Sequence, residues 1–345
     1  NSVTLTVHAP AAKELAVEGN WMERDGWNAG RAQMMKDSSG RWSYSSNKLT
    51  SDLFFYNLIL DGKKITDPEN VYQVRDVNTV FNYFLTEGAQ SDLYKVQDVP
   101  HGTVSNPWYP SPTLNSQRRM TVYTPPGYEL SKARFPVLYL LHGMGGDEEA
   151  WISLGRAIQI LDNMIAKDLI EPMIVVMPNG HVSNTAAPGE SSRGQYMVSP
   201  QTPDVGTGDM ERSFKDVMAF VESSYRVKNN KANRAIAGLS MGGSHSMYIA
   251  ALHPQTFDYV GLFSAATRMN PAVKDPIFDL FDDQLRKQMA PSPKLYWIGM
   301  GKTDFLYQIG VGYREKLTAI NFPYTYRESE GGHTWSNWRL YLTEF

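Results

Sequence analysis

Residues Ile236–Ser246 have the sequence IAGLSMGGSHS, which is the strongest indication of the fold of the larger part of the chain. Residues 238–242 spell GLSMG, the G-x-S-x-G pattern in which a serine occupies a sharp turn from a strand into a helix. Side chains two positions before and after that serine would collide, so glycine is needed at both. The pattern predicts that Ser240 is a nucleophile. A helix N-cap is the alternative role for a serine at this place.

The segments around this stretch alternate between short apolar runs and helical periodicity. FPVLYLLHG (135–143) and MIVVMP (173–178) are typical of strands that are buried on both faces. Residues 150–169, 211–225 and 245–254 have the apolar spacing of helices. This alternation predicts a mainly parallel sheet with helices on both faces.

The first part of the chain lacks helical periodicity and alternates apolar with polar side chains. In LFFYNLILDGKKITDP (53–68) a strand-like run meets Asp61-Gly62, a strong signal for a tight hairpin. We therefore expect an all-β, immunoglobulin-like sandwich before the α/β domain. The predicted boundaries are 1–88 for the sandwich, 89–100 for a linker and 101–345 for the α/β domain.

The composition excludes several functional classes. The chain of 345 residues contains no cysteine, so disulfides, thiolate metal sites and cysteine nucleophiles are excluded. Its net charge of −3 offers no positive field to nucleic acid. No apolar run approaches the roughly 20 residues that a membrane span requires. We also find no cluster of metal ligands and no cofactor motif, and expect neither a metal nor a cofactor.

A serine nucleophile needs a histidine base, and the base needs an acid that orients it. In this architecture the acid and then the histidine follow the serine along the chain, which leaves His245, His253 and His333. His333 lies in a glycine loop and is the predicted base, because the other two lie on the helix directly after Ser240. Asp304 follows the strand-like run KLYWIGMG and is the predicted acid.

An acyl-transfer site also needs two backbone amides that bind the oxyanion. Met241 directly follows the serine, and its amide is the first predicted donor. The glycine-rich loop HGMGG at 142–146 supplies the second, for which Met144 is our choice and Gly143 the alternative.

Several side chains near these motifs are candidates for substrate contact. Aromatic side chains are typical of the walls of an acyl pocket, although aromatic residues near a motif commonly belong to the core. The candidates are His142, Trp151, Phe305, Trp335 and Trp338.

Five ordered motifs resemble the esterases of carbohydrate esterase family 1, a group that includes feruloyl esterases and acetyl xylan esterases. The motifs are RRMTVYTPPGYE, FPVLYLLHGMGGDEEAW, GLSMGG, GKTDFL and GGHTW. The resemblance covers residues 99–345 and implies an α/β-hydrolase fold with the catalytic and oxyanion residues named above. It implies a serine esterase that removes feruloyl or acetyl groups from plant cell-wall xylan or arabinoxylan through an acyl-enzyme.

The first domain resembles a different group, the early-set β-sandwich modules of carbohydrate-binding family 48. The resemblance lies in GNWMERDGWNAGRAQM (19–34) and FFYNLILDGKKITDPEN (54–70). Trp21, Trp27 and Trp42 have flat indoles that suit sugar rings, so this domain is a candidate for carbohydrate contact. Packing inside the sandwich is the alternative for the same residues.

Other functions fit the same architecture. A siderophore trilactone esterase or an acyltransferase would keep the reactive serine, and a carbohydrate-binding protein with an inactive hydrolase domain would not use it. The chain starts at Asn1 rather than methionine. We therefore expect a processed or truncated start and a secreted, periplasmic or cell-surface protein.

Overall fold

The computed structural model describes residues 1–23, 29–191, 199, 204–267 and 272–345. Two compact units divide the chain, Asn1–Asp98 and Val99–Phe345. Within the described ranges, no helix has both the length and the apolar character that crossing a bilayer would require.

The first unit is built from antiparallel strands. Its strands are β1 (Thr4–His8), β2 (Leu15–Gly19), β3 (Gly30–Gln33), β4 (Met35–Lys36), β5 (Arg41–Ser45), β6 (Leu53–Leu60), β7 (Lys63–Ile65), β8 (Gln73–Asp76) and β9 (Thr79–Leu85). They form one sheet in the order β1-β5-β4 and a second in the order β3-β2-β6-β9-β8, with β7 paired to β6. The predicted sandwich is therefore present.

The hairpin between β6 and β7 follows the sequence signal. Leu60 lies opposite Lys63, so Asp61 and Gly62 form a two-residue turn. Their φ angles are 47° and 80°, the positive values that a type I′ turn requires.

The tryptophans of this unit that the structure describes are packing residues. Trp42 is 6% exposed, and its indole nitrogen donates to the Ala9 carbonyl at 2.9 Å. The ring of Trp21 packs against Phe84 at 5.2 Å and Phe54 at 6.0 Å between centroids. Sugar stacking is therefore the wrong interpretation for the buried Trp42, whereas Trp21 is partly buried against the same core. Trp27 lies outside the described residues.

Part of the segment predicted as a linker is hydrogen-bonded to the strands of the first unit. Helix α1 (Ala89–Asp92) lies within it. The Ser91 hydroxyl donates to the Thr86 carbonyl, and the Ser91 amide donates to the Ser51 hydroxyl at 2.9 Å. The unit boundary accordingly falls after Asp98, because these hydrogen bonds hold the segment to the strands before it.

The second unit alternates strands and helices. Its strands are β10 (Thr103–Ser105), β11 (Trp108–Ser111), β12 (Ser116–Thr124), β13 (Val137–Leu141), β14 (Ile174–Pro178), β15 (Arg234–Leu239), β16 (Tyr259–Phe263), β17 (Leu295–Gly301) and β18 (Thr325–Ser329). Its helices are α2 (Ala150–Ser153), α3 (Ala157–Ala166), α4 (Asp209–Ser224), α5 (Met241–Leu252), α6 (Pro276–Asp279), α7 (Phe281–Met289), α8 (Tyr307–Ala319) and α9 (Trp335–Glu344).

The sheet of this unit runs in the order β10-β12-β14-β13-β15-β16-β17-β18, with β11 on β12. The strands β13 to β18 all pair in parallel, whereas β12 pairs antiparallel with β10, β11 and β14. The carboxyl ends of β13 to β18 therefore meet at one edge, where ligands bind in open α/β sheets. This is the predicted α/β-hydrolase arrangement.

Helices cover both faces of the sheet. Buried side chains of α4, α5, α7 and α8 pack with the sheet in one core cluster. On the opposite face, Phe263 of β16 packs against Trp151 of α2 and Tyr341 of α9. The single helix predicted over 150–169 is instead two, because Arg156 takes a left-handed conformation with φ of 53° between α2 and α3.

Candidate active site

Ser240 occupies the turn between β15 and α5. Its φ and ψ are 53° and −115°, a strained conformation for a residue with a side chain. The Ser240 amide donates to the Phe263 carbonyl at 2.8 Å, which ties the turn to the neighbouring strand β16. A Cβ atom on Gly242 would overlap the carbonyl oxygens of Leu141 and His142. The glycine of the motif is thus required by backbone contact with β13.

Helix α5 presents its amino terminus beside Ser240. The first hydrogen bond along this helix runs from the Ser244 amide to the Ser240 carbonyl at 3.1 Å. The amides before Ser244 therefore have no acceptor within the helix. Together with the helix dipole, the buried Met241 amide makes this end of α5 suited to a developing negative charge.

Asp304 and His333 lie in direct contact at the same edge of the sheet. His333 Nδ1 is 3.0 Å from Asp304 Oδ2 and 3.1 Å from Oδ1. Asp304 is 4% exposed, and its Oδ1 also accepts from the Leu306 amide at 2.9 Å. A buried carboxylate held in this way fixes the orientation of the imidazole and leaves its Nε2 for proton transfer.

Two aromatic rings lie against the imidazole of His333. Trp338 of α9 meets it at 4.8 Å and nearly at right angles, at 88°. Phe305 meets it at 4.6 Å and 53°. Trp338 is buried, whereas Phe305 is 55% exposed. The predicted base therefore contacts one buried ring and one solvent-facing ring.

The glycine-rich loop after β13 lies against Ser240. A Cβ atom on Gly143 would sit 3.4 Å from the Ser240 Cβ. In the same loop, the Gly145 amide donates to His181 Nε2 at 2.9 Å and the Gly146 amide donates to the Gly143 carbonyl at 3.1 Å. These two amides are engaged, so Gly143 and Met144 are the loop amides that can serve an oxyanion.

His142 is a structural residue of this loop rather than a substrate contact. It is 1% exposed. Its Nε2 accepts from the Gly180 amide at 2.7 Å, so Nδ1 carries the hydrogen that is donated to the Gly143 carbonyl at 2.7 Å. Burial, reinforced by the neighbouring His181, lowers the pKa of His142 to about 3. The neutral ring thus joins the loop after β13 to the loop after β14, which corrects its prediction as a substrate contact.

Trp151 and Trp335 are also interior residues. They are 1% and 8% exposed, and their rings meet edge to face at 5.3 Å. Trp335 in turn meets Trp338 at 5.2 Å, and the Trp151 indole donates to the Leu141 carbonyl at 3.0 Å. These tryptophans form a buried column between the oxyanion loop and His333. The prediction that they line a pocket is wrong, and Phe305 is the pocket candidate that reaches solvent.

Glu148, which sequence reasoning missed, lies just after the oxyanion loop and binds the segment that follows β14. Its carboxylate accepts from the Asn179 side chain at 2.9 Å and from the Ala187 amide at 2.8 Å. Burial raises the pKa of Glu148 to about 7 in spite of these hydrogen bonds. The Arg119 guanidinium lies 3.4 Å away, but it is shared with two further glutamates.

Arg118 and His181 complete this support. The buried Arg118 donates to the carbonyls of Asn179, His181 and Val182 at 2.8, 3.0 and 2.9 Å. His181 holds the oxyanion loop through the Gly145 amide. The signal for His181 was present in the sequence, since it follows an apolar strand just as His142 does. Within the described ranges, no three acidic or histidine side chains come together as a metal site would require.

The Esterase family model matches residues 111–345 of the chain. Among curated proteins, the chain is 30% identical over 286 residues to an endo-1,4-beta-xylanase/feruloyl esterase of Xylanibacter ruminicola. The match covers 78% of this chain and 36% of that protein. The chain therefore spans about a third of the length of this curated relative.

Two solved structures are similar in fold. A CE1 ferulic acid esterase from Anaeromyces mucronatus, solved with ferulic acid, matches 80% of this chain and 96% of its own, with a TM-score of 0.60 and 22% identity. The enterobactin esterase of Shigella flexneri matches 99% of this chain and 91% of its own, with a TM-score of 0.68 and 14% identity.

Proposed function

This chain belongs to the Esterase family, and from that premise we propose that it is a serine esterase that removes feruloyl or acetyl groups from plant cell-wall xylan. One observation carries the proposal. Asp304 and His333 are paired at 3.0 Å at the sheet edge where the strained Ser240 turn also lies. This arrangement suits acyl transfer through a covalent intermediate.

In the first half of the reaction, the Ser240 hydroxyl attacks the ester carbonyl carbon while His333 Nε2 accepts its proton. The Asp304 carboxylate stabilises the resulting imidazolium through Nδ1–H. The carbonyl oxygen gains negative charge, and the amides of Met241 and Met144 donate to it. His333 then returns the proton to the departing sugar oxygen, and the acyl group stays on Ser240.

In the second half, water replaces the sugar. His333 removes a proton from the water as it attacks the acyl carbon, and the Ser240 oxygen leaves with the proton that His333 returns. The products are a free acid and the original enzyme. The nucleophile, the base, the acid and the oxyanion donors all belong to the chain, and water is the only other reactant besides the ester.

The substrate class is inferred from relatives. The Xylanibacter ruminicola protein is a xylanase and feruloyl esterase by name, and its match covers more of the chain than the second unit alone, Val99–Phe345. A polysaccharide substrate is found outside cells, which supports a secreted, periplasmic or cell-surface location. The first unit remains a candidate for sugar contact, although not through the buried Trp42.

The test is hydrolysis of methyl ferulate and of acetylated xylan by the wild type and by Ser240→Ala. We expect the wild type to cleave at least one ester and the variant to lose activity by several orders of magnitude with its fold retained. Ser223→Ala is the matched control, because this exposed serine lies in the last turn of α4 and its hydroxyl donates to the Phe220 carbonyl of the same helix.

Each outcome addresses a different part of the proposal. If the wild type cleaves neither ester, the substrate assignment is wrong. If Ser240→Ala keeps full activity, the mechanism is wrong. A siderophore trilactone belongs in the same panel, since preference for it would replace xylan esters as the substrate of the same site.

A further inference from the structure

Phe305 is displayed at the site by the turn that carries Asp304. The Leu306 amide donates to Asp304 Oδ1 at 2.9 Å, and the Tyr307 amide donates to the Asp304 carbonyl at 2.9 Å. Asp304 and Leu306 are both buried. The residue between them is therefore turned outward, over the imidazole of His333.

The location of Phe305 beside His333 determines which half of the ester it meets. In acyl transfer the imidazole returns its proton to the leaving oxygen, so that oxygen must come within about 2.6–3.2 Å of His333 Nε2. The carbonyl oxygen is bound instead by the oxyanion donors, the amides of Met241 and Met144. The group attached to the leaving oxygen is thus the part of the substrate nearest to a ring 4.6 Å from the imidazole.

We propose that Phe305 is a specificity-determining residue that contacts the sugar of the leaving group and does not line the acyl pocket. This inference rests on the proposed function for its substrate. A planar ring suits the apolar face of a sugar, and the 55% of Phe305 that is exposed is the surface that sugar contact would cover.

The experiment compares two feruloyl esters that differ only in the leaving group: methyl ferulate and feruloylated arabinoxylo-oligosaccharide. Phe305→Ala should lower kcat/KM about tenfold for the oligosaccharide, since about half of the ring is available for burial. It should change kcat/KM for methyl ferulate by less than about twofold. Phe305→Trp should retain the preference for the oligosaccharide. Leu169→Ala is the control, because Leu169 is 61% exposed and follows α3 at the opposite edge of the sheet.

Three results would overturn the placement. An equal loss of kcat with both esters would mean that Phe305 acts only by holding His333. A larger loss with methyl ferulate would place the ring on the acyl side, and no change with either ester would remove it from the site. If the wild type cleaves neither feruloyl ester, the feruloyl part of the proposed substrate fails and the acetyl part remains. The placement is then tested with methyl acetate and 4-methylumbelliferyl acetate, where Phe305→Ala must impair the second ester more.

Discussion

Asp304→Asn is predicted to inactivate the enzyme although asparagine has nearly the same shape as aspartate. The variant replaces the oxygen that accepts a hydrogen bond from His333 Nδ1 with an NH₂ donor. The Leu306 amide donates to Asp304 Oδ1, so an asparagine here must keep its carbonyl oxygen at that position. Its NH₂ group then faces His333 Nδ1 at the distance of 3.0 Å now held by Oδ2. The asparagine oxygen stays 3.1 Å from Nδ1, but the NH₂ group also faces Nδ1 and favours the neutral ring that carries its hydrogen on Nε2, where it cannot accept the proton of Ser240.

The charge lost in this variant sets the minimum effect. A carboxylate about 4 Å from the imidazolium charge contributes about 4 kcal/mol at an effective dielectric constant near 20. Each 1.36 kcal/mol corresponds to tenfold in rate, so kcat should fall by about a thousandfold or more. The tautomer effect adds to this loss.

The assay is kcat for methyl ferulate, measured beside the melting temperature of each variant. Asp304→Ala is the matched variant, because it removes the same charge without adding a donor, and its kcat should not be lower than that of Asp304→Asn. If Asp304→Asn keeps kcat within tenfold of the wild type at an unchanged melting temperature, Asp304 is not the residue that orients His333.

Two further predictions concern the framework around the site. Gly242→Ala places a methyl group against backbone carbonyls and should lower the free energy of unfolding by about 1–3 kcal/mol. Gly312→Ala on α8, where a Cβ meets no atom within 4 Å, should be neutral or stabilising in the same denaturant titration, and equal effects of the two would contradict the argument. The raised pKa of Glu148, about 7 against 4.5, means that the folded state keeps a proton that the unfolded state has lost between these pH values. Stability should therefore decline by about 3 kcal/mol from pH 4.5 to 7 through this group. Glu148→Gln should abolish that decline, and an unchanged pH slope would refute the assignment.

Much of the site follows from chain order and local pattern. The sequence shows a serine between glycines at a strand end, an aspartate after a later strand and a histidine in a glycine loop. Parallel strands bring their carboxyl ends to one edge, and the structure adds the strand β18 that precedes His333. The structure adds the contact between Asp304 and His333, and the carbonyl oxygens of β13 that explain why residue 242 is glycine.

Other features depend on contacts that no local pattern encodes. Trp151 and Trp335 are aromatic, as the walls of an acyl pocket commonly are. Ring contacts between distant parts of the chain bury both of them. His142 was predicted as a substrate contact, yet the Gly180 amide from another loop occupies its Nε2. No proline in the sequence marks the helix break at Arg156. These residues were misjudged because burial is decided by partners far away in sequence.

The role of Ser240 as the nucleophile is tested most directly by trapping the acyl-enzyme. Methyl ferulate is mixed with excess enzyme, the reaction is quenched with acid within its first turnover, and the digested protein is mapped by mass spectrometry. If Ser240 is the nucleophile, one feruloyl group is found on Ser240, and it disappears when hydrolysis is allowed to continue. A feruloyl group on another residue, or ferulate release with no adduct at any time during the turnover, would contradict it.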